Sequence, residues 1–169
     1  MSIDISKLDS FAKEVYSKII ARHPEWDKYA KVDPYKYPGG ECFYLSIEIP
    51  PPIPGVFPID ITDGDDEPDE LTIYFGPAHF HMRIYLRRGK KTIFDQLNGI
   101  EKITRQIFDE ELIAVQGWPG FFFIGEGMVT QDQYKKMLDK GKLRRAVSWK
   151  GTYNYPKDGT HLEWNPPKK

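Results

Sequence analysis

The stretch that decides the fold is Cys42-Phe43-Tyr44-Leu45-Ser46-Ile47-Glu48-Ile49. Phe43, Leu45, Ile47 and Ile49 alternate with Tyr44, Ser46 and Glu48. Successive side chains of a strand point to opposite faces, so the pattern predicts a β-strand with an apolar side and a polar side. Pro50-Pro51-Pro52 and Pro54 follow, and proline donates no backbone hydrogen bond, so the chain is expected to leave the sheet or run along an edge. Val56 to Ile61 reads as a short strand or edge segment. Leu71, Ile73 and Phe75 then alternate with Thr72 and Tyr74. After Gly76-Pro77, the residues Phe80, Met82, Ile84 and Leu86 alternate with His79, His81, Arg83 and Tyr85, which predicts a strand whose histidines point away from the core.

Working outward, Ser6 is the expected N-cap of a first helix, with Asp9 three residues on and Leu8, Phe11, Val15 and Ile19 at helical spacing up to His23-Pro24. Residues 26–40, rich in Tyr, Pro and Lys, read as an ordered connector. Ile93 to Phe108 places Ile93, Leu97, Ile100, Ile103 and Ile107 on one helical stripe. Leu112 to Gln116 and Phe121 to Ile124 read as strands turned by Gly117-Trp118-Pro119-Gly120. Thr130 and Gln133 form a capping-box pattern ahead of a short helix closed by Lys140-Gly141. Arg144 to Tyr153 reads as a strand pairing with Thr160 to Trp164 across Pro156-Lys157-Asp158-Gly159, and residues 165–169 read as a flexible tail.

These elements predict an α+β fold: a single domain over residues 1–169, mainly antiparallel sheet, with about three helices packed largely on one face. A chain of 169 residues is long enough to bury a core without disulfide or metal support. Its single cysteine, Cys42, excludes an internal disulfide and a Cys-rich zinc site, in keeping with a reducing cytoplasm. The first residues, Met1-Ser2-Ile3-Asp4, lack the basic start and apolar run of a signal peptide, and no apolar run approaches membrane-spanning length, so a cytoplasmic protein with no membrane partner is expected. Net charge is −1, yet residues 1–70 hold 7 Lys/Arg against 15 Asp/Glu while residues 71–169 hold 17 against 10. That asymmetry either neutralises itself on folding or presents an acidic patch to a basic partner.

Each chemical motif has a plain structural counterpart. His79-x-His81 sets two imidazoles on one strand face, a spacing known from metal sites, but the window Met82 to Leu86 lacks the acid that follows such a pair in cupin-type enzymes. No metal or cofactor is assigned. Glu48 with His79 or His81 would make an acid/base pair if their strands were neighbours, which keeps a small metal-dependent or acid/base enzyme as the alternative function. Cys42 has no histidine placed beside it by sequence and no Ser sits in a nucleophile elbow, so no catalytic residue is assigned. The run Asp60 to Glu70 holds Asp60, Asp63, Asp65, Asp66, Glu67, Asp69 and Glu70 and reads as a solvated acidic loop. It fails as an EF-hand because Ile59 and Ile61 would occupy ligand positions. Arg87-Arg88-Gly89-Lys90-Lys91 is basic, but the near-neutral total argues against nucleic acid.

The segment Glu70-Leu71-Thr72-Ile73-Tyr74-Phe75-Gly76-Pro77-Ala78-His79-Phe80-His81 resembles a strand-turn-strand block in small bacterial proteins of the immunity type found in polymorphic toxin systems. The resemblance implies a cytoplasmic, non-enzymatic protein that binds and blocks a toxin domain. Tyr and Arg are favoured anchors where proteins meet. The expected partner-binding residues are therefore Tyr44, Glu48, Tyr74, His79, His81, Arg83 and Tyr85 on the polar face and Asp63, Asp65, Asp66 and Glu67 in the acidic run.

Overall fold

Asp9, rather than Ser6, caps the first helix. In the computed structural model, which describes residues 3–37, 40–63, 69–82, 92–117 and 126–156, the Asp9 carboxylate accepts a hydrogen bond from the Ala12 N–H at 2.8 Å. Helix α1 therefore spans Ser10–Arg22. The carboxylate satisfies an orphan donor and complements the positive end of the helix dipole. Ser6 lies one turn earlier, in a 3-10 segment Ile5–Lys7 whose cap is Asp4. Phe11, Val15 and Ile19 form the buried stripe of α1, which stops at His23 before Pro24.

The expected connector is instead a 3-10 segment, Pro24–Tyr29, followed by strand β1, Ala30–Tyr37. Strand β1 pairs antiparallel with β2, Gly40–Ile49, and β2 pairs antiparallel with β3, Ile59–Asp63. Pro34 is tolerated because β1 lies at the edge of its sheet. Strands β4, Leu71–Phe75, and β5, Ala78–His81, complete a five-stranded sheet in the order β1-β2-β3-β4-β5. Each strand thus lies beside the next in the chain. Gly76 turns β4 into β5 with φ of +56°, a conformation that favours glycine.

Helix α2 spans Ile93–Phe108, and Leu97, Ile100, Ile103 and Ile107 are fully buried along it. A second, three-stranded sheet has the order β7-β6-β8, built from β6, Leu112–Gly117, β7, Glu126–Thr130, and β8, Leu143–Val147, all antiparallel. Helix α3, Gln131–Asp139, starts at Thr130 with the expected capping box: the Gln133 side chain accepts from the Thr130 N–H at 2.9 Å. Tyr134 and Met137 pack it onto Ile113, Val115 and Val129.

Strand β8 ends at Val147, not at Tyr153. The donors that would extend its ladder are taken by side chains: Ser148 N–H donates to the Asn154 side chain at 3.0 Å, and Lys150 N–H donates to the Glu110 carboxylate at 2.7 Å. Gly151, with φ of +78°, completes the turn. The expected strands Phe121–Ile124 and Thr160–Trp164 and the tail 165–169 lie outside the described residues, as does the continuation of β5 beyond Met82.

The described chain is α+β and divides into two compact units. The first comprises Met1–Ile49, Ile59–Ile73 and Phe80–Glu101, and the second Pro50–Pro58, Tyr74–His79 and Lys102–Lys169. Each is assembled from three separated segments, so no linker in the sequence marks a division between them. Among the described residues, no helix is long and apolar enough to cross a membrane.

Candidate functional site

Within the first unit, the register of β1, β2 and β3 decides which side chains share a face. Lys31 lies opposite Ser46, Asp33 opposite Tyr44, Ser46 opposite Thr62 and Glu48 opposite Asp60. Paired residues point to the same side of a sheet. One face therefore holds Lys31, Asp33, Tyr44, Ser46, Glu48, Asp60 and Thr62, and the other holds Leu45, Ile47, Ile49, Ile59 and Ile61, which are all buried. The polar face is not open throughout, because Ser46 and Thr62 are only 4% and 3% exposed. Its accessible part is a rim in which Lys31 is exposed and Asp33, Tyr44, Glu48 and Asp60 are half-buried.

The rim is acidic. The Lys31 ammonium pairs with the Glu48 carboxylate, and both side chains are about half exposed, so the pair contributes only a few tenths of a kcal/mol. That hydrogen bond is the main cause holding the Lys31 proton more tightly than usual, and Asp33 and Asp60 add to it. Asp60 accepts from the Ser46 hydroxyl at 2.7 Å. Burial nevertheless pushes the Asp60 carboxyl above the ordinary carboxylate range, and the negative charges of Glu48 and Asp33 push the same way.

A second polar group of this unit is formed by Glu70, just ahead of β4, Thr72 of β4 and His81 of β5. Glu70 and Thr72 are 4% and 2% exposed. The His81 Nδ1 atom lies 3.5 Å from a Glu70 carboxylate oxygen and 3.3 Å from the Thr72 hydroxyl. A hydroxyl-imidazole-carboxylate relay needs the nucleophile on one ring nitrogen and the acid on the other. Here both partners meet Nδ1, so the arrangement orients the imidazole and does not activate Thr72. In the second unit, the Tyr74 and His79 rings lie 5.4 Å apart at 33°, and His79 is exposed.

Of the expected site residues, Tyr44 and Glu48 share a strand and a face, whereas His79 and His81 lie on β5, with β3 and β4 between β2 and β5. The acid/base pair of Glu48 with either histidine is therefore not formed. Asp63 is not a solvated loop residue: it ends β3, is 4% exposed, and accepts from the Leu45 N–H. Burial raises its carboxyl to about 6. Asp60 likewise belongs to β3 and Glu70 is buried, so of the acidic run only Asp69 is exposed among the described residues. Asp65, Asp66, Glu67, Arg83 and Tyr85 lie outside the described residues. Lys31 and Asp33 are additions that the sequence reading missed; the alternation of Lys31 and Asp33 with Ala30 and Val32 was the available signal, masked by Pro34. Among the described residues, no group of three or more His, Cys, Asp and Glu is placed to hold a metal ion.

Comparison of the chain with protein-family models, with curated proteins and with solved structures finds no match.

Proposed function

We propose that this chain is a non-enzymatic, cytoplasmic protein-binding protein of the immunity type, which occupies and blocks a bacterial toxin domain. The observation that carries the reading is the rim of the β1–β3 face, where Asp33, Glu48 and Asp60 gather around the ammonium of Lys31 with Tyr44 alongside. These groups lie on the side of the sheet opposite the buried aliphatic residues, so core packing does not require them. An amphipathic ring beside uncompensated charge is the residue mix of a protein contact surface. The likeness of Glu70 to His81 to immunity proteins supports the same class of partner, and the oriented His81 adds a contact group of the same unit.

The test is co-expression of this chain with the product of the adjacent reading frame, read out as survival of the host and as a complex on size-exclusion chromatography. The expected result is protection together with a stable complex, weakened by Tyr44→Ala. A chain that neither protects the host nor binds that product overturns the proposal.

A further inference from the structure

His23 joins three elements of the first unit. It is the C-cap of α1, its N–H donating to the Ile19 carbonyl at 2.8 Å, and it precedes the 3-10 segment Pro24–Tyr29 as that segment's N-cap. Its half-buried ring stacks on the buried Trp26 indole, the centroids 4.0 Å apart and the planes 11° from parallel. Trp26 also donates its backbone N–H to the His23 carbonyl at 3.0 Å. With the ring so held, each nitrogen meets a different carboxylate. Nδ1 lies 3.5 Å from a Glu25 oxygen, and Nε2 lies 3.5 Å from a Glu101 oxygen on α2. That Glu101 oxygen is shared, because Arg22 Nη1 donates to it at 2.9 Å and reaches the Asn98 side chain at 3.1 Å. All of these residues lie in the first unit.

A neutral imidazole has one N–H and one lone pair, so it donates to only one of the two acids and turns a lone pair toward the other. An imidazolium carries an N–H on both nitrogens and serves both. Its charge is also attracted by the indole face and by the carbonyl end of α1. The charged groups facing the ring are Glu25 from the 3-10 segment, Glu101 from α2 and Arg22 from α1. Arg22 and Glu101 offset each other, so one negative charge stands over until His23 takes up a proton. We infer that His23 is a proton-operated clasp: protonated, it ties the end of α1 and the 3-10 segment to α2, and neutral, it lets one carboxylate go. Histidine is the side chain whose charge ordinarily changes near physiological pH, which makes the tie pH-responsive. It holds in acid and loosens as pH rises. The inference is independent of the protein-binding reading.

The experiment is a double-mutant cycle on the full chain, His23→Gln against Glu101→Gln, read by urea unfolding at about pH 5.5 and about pH 8, on either side of the unfolded-chain histidine value of about 6.5. Residues 23 and 101 are expected to couple by about threefold in the unfolding constant at the lower pH, the scale of a partly exposed ion pair, and not to couple at the higher. Glu101→Gln also strips a charge partner from Arg22, so a second measurement leaves Glu101 in place. Amide hydrogen exchange at Trp26, corrected for the intrinsic effect of pH, should lose about threefold in protection from the lower to the higher pH in the wild type and stay constant in His23→Gln. Coupling of equal size at the two pH values overturns the assignment. So does Trp26 protection that ignores pH in the wild type, or that follows it equally in His23→Gln.

Discussion

The backbone N–H of Leu45 donates to the carboxylate of Asp63 across β2 and β3. Alternation along β3 puts Asp63 on the side of Ile59 and Ile61, so a carboxylate sits at the margin of the aliphatic face, 4% exposed. Burial is the dominant influence on it, with the Asp9 charge adding and the Leu45 N–H partly offsetting, and the carboxyl is raised to about 6.

A folded-state value above the unfolded value, about 3.9, means that protonation favours the native state. The stability tied to Asp63 is complete below about pH 4 and is lost as pH rises through about 6. Asp63→Asn, which keeps an acceptor for Leu45, should therefore be more stable than the wild type by about 1 to 3 kcal/mol at pH 7.5, with the difference shrinking toward zero by about pH 4. Urea unfolding of both proteins across that range measures it. A difference that does not change with pH would refute the assignment.

Gln96 of α2 bridges the backbone ahead of β4. Its side-chain oxygen accepts from Leu71 N–H at 2.8 Å and its amide donates to the Asp69 carbonyl at 3.0 Å, and the residue is 1% exposed. Gln96→Leu would leave both backbone groups without their partner. The expected loss is about 2 to 4 kcal/mol in urea unfolding, with faster hydrogen exchange at the Leu71 amide. A variant within about 0.5 kcal/mol of the wild type would show that Gln96 does not fix this segment.

Glu110 anchors the turn after β8. Its carboxylate accepts from Lys150 N–H at 2.7 Å and from Thr152 N–H at 3.3 Å, and Glu110 itself has φ of 57°. Burial alone would raise its carboxyl, but donors from Ser148, Thr152 and the Lys150 backbone together outweigh burial and hold it below the usual value. The lowered value means that the stability it supplies is present above the unfolded value of about 4.3 and is lost as pH falls through the folded one. At pH 7, Glu110→Ala is expected to cost about 2 to 4 kcal/mol and Glu110→Gln less, since glutamine retains one acceptor oxygen. Equal losses for the two variants in urea unfolding would argue against the carboxylate as the anchor.

Much of this architecture is legible in the residues. The Phe43 to Ile49 alternation, the Ile93 to Phe108 stripe and the Thr130–Gln133 capping box each reappear as β2, α2 and the start of α3. Local signals failed where a longer-range constraint decided. Pro34 disguised β1, because only an edge position makes a proline harmless and the pattern does not reveal edges. The alternating run Ser148 to Tyr153 looked like a strand, but Glu110 and Asn154 side chains claim its backbone donors. Asp63 has the parity of Ile59 and Ile61, so its inward position was readable; its membership of a run of acids suggested water instead. The acidic rim required the pairing register of three strands, which no single segment encodes.

The two compact units are woven from alternating segments, with residues 50–58 and 74–79 of the second lying between segments of the first. No single genetic junction leaves both intact. Recombination at one junction therefore cannot transfer either unit whole as a ready-made cassette.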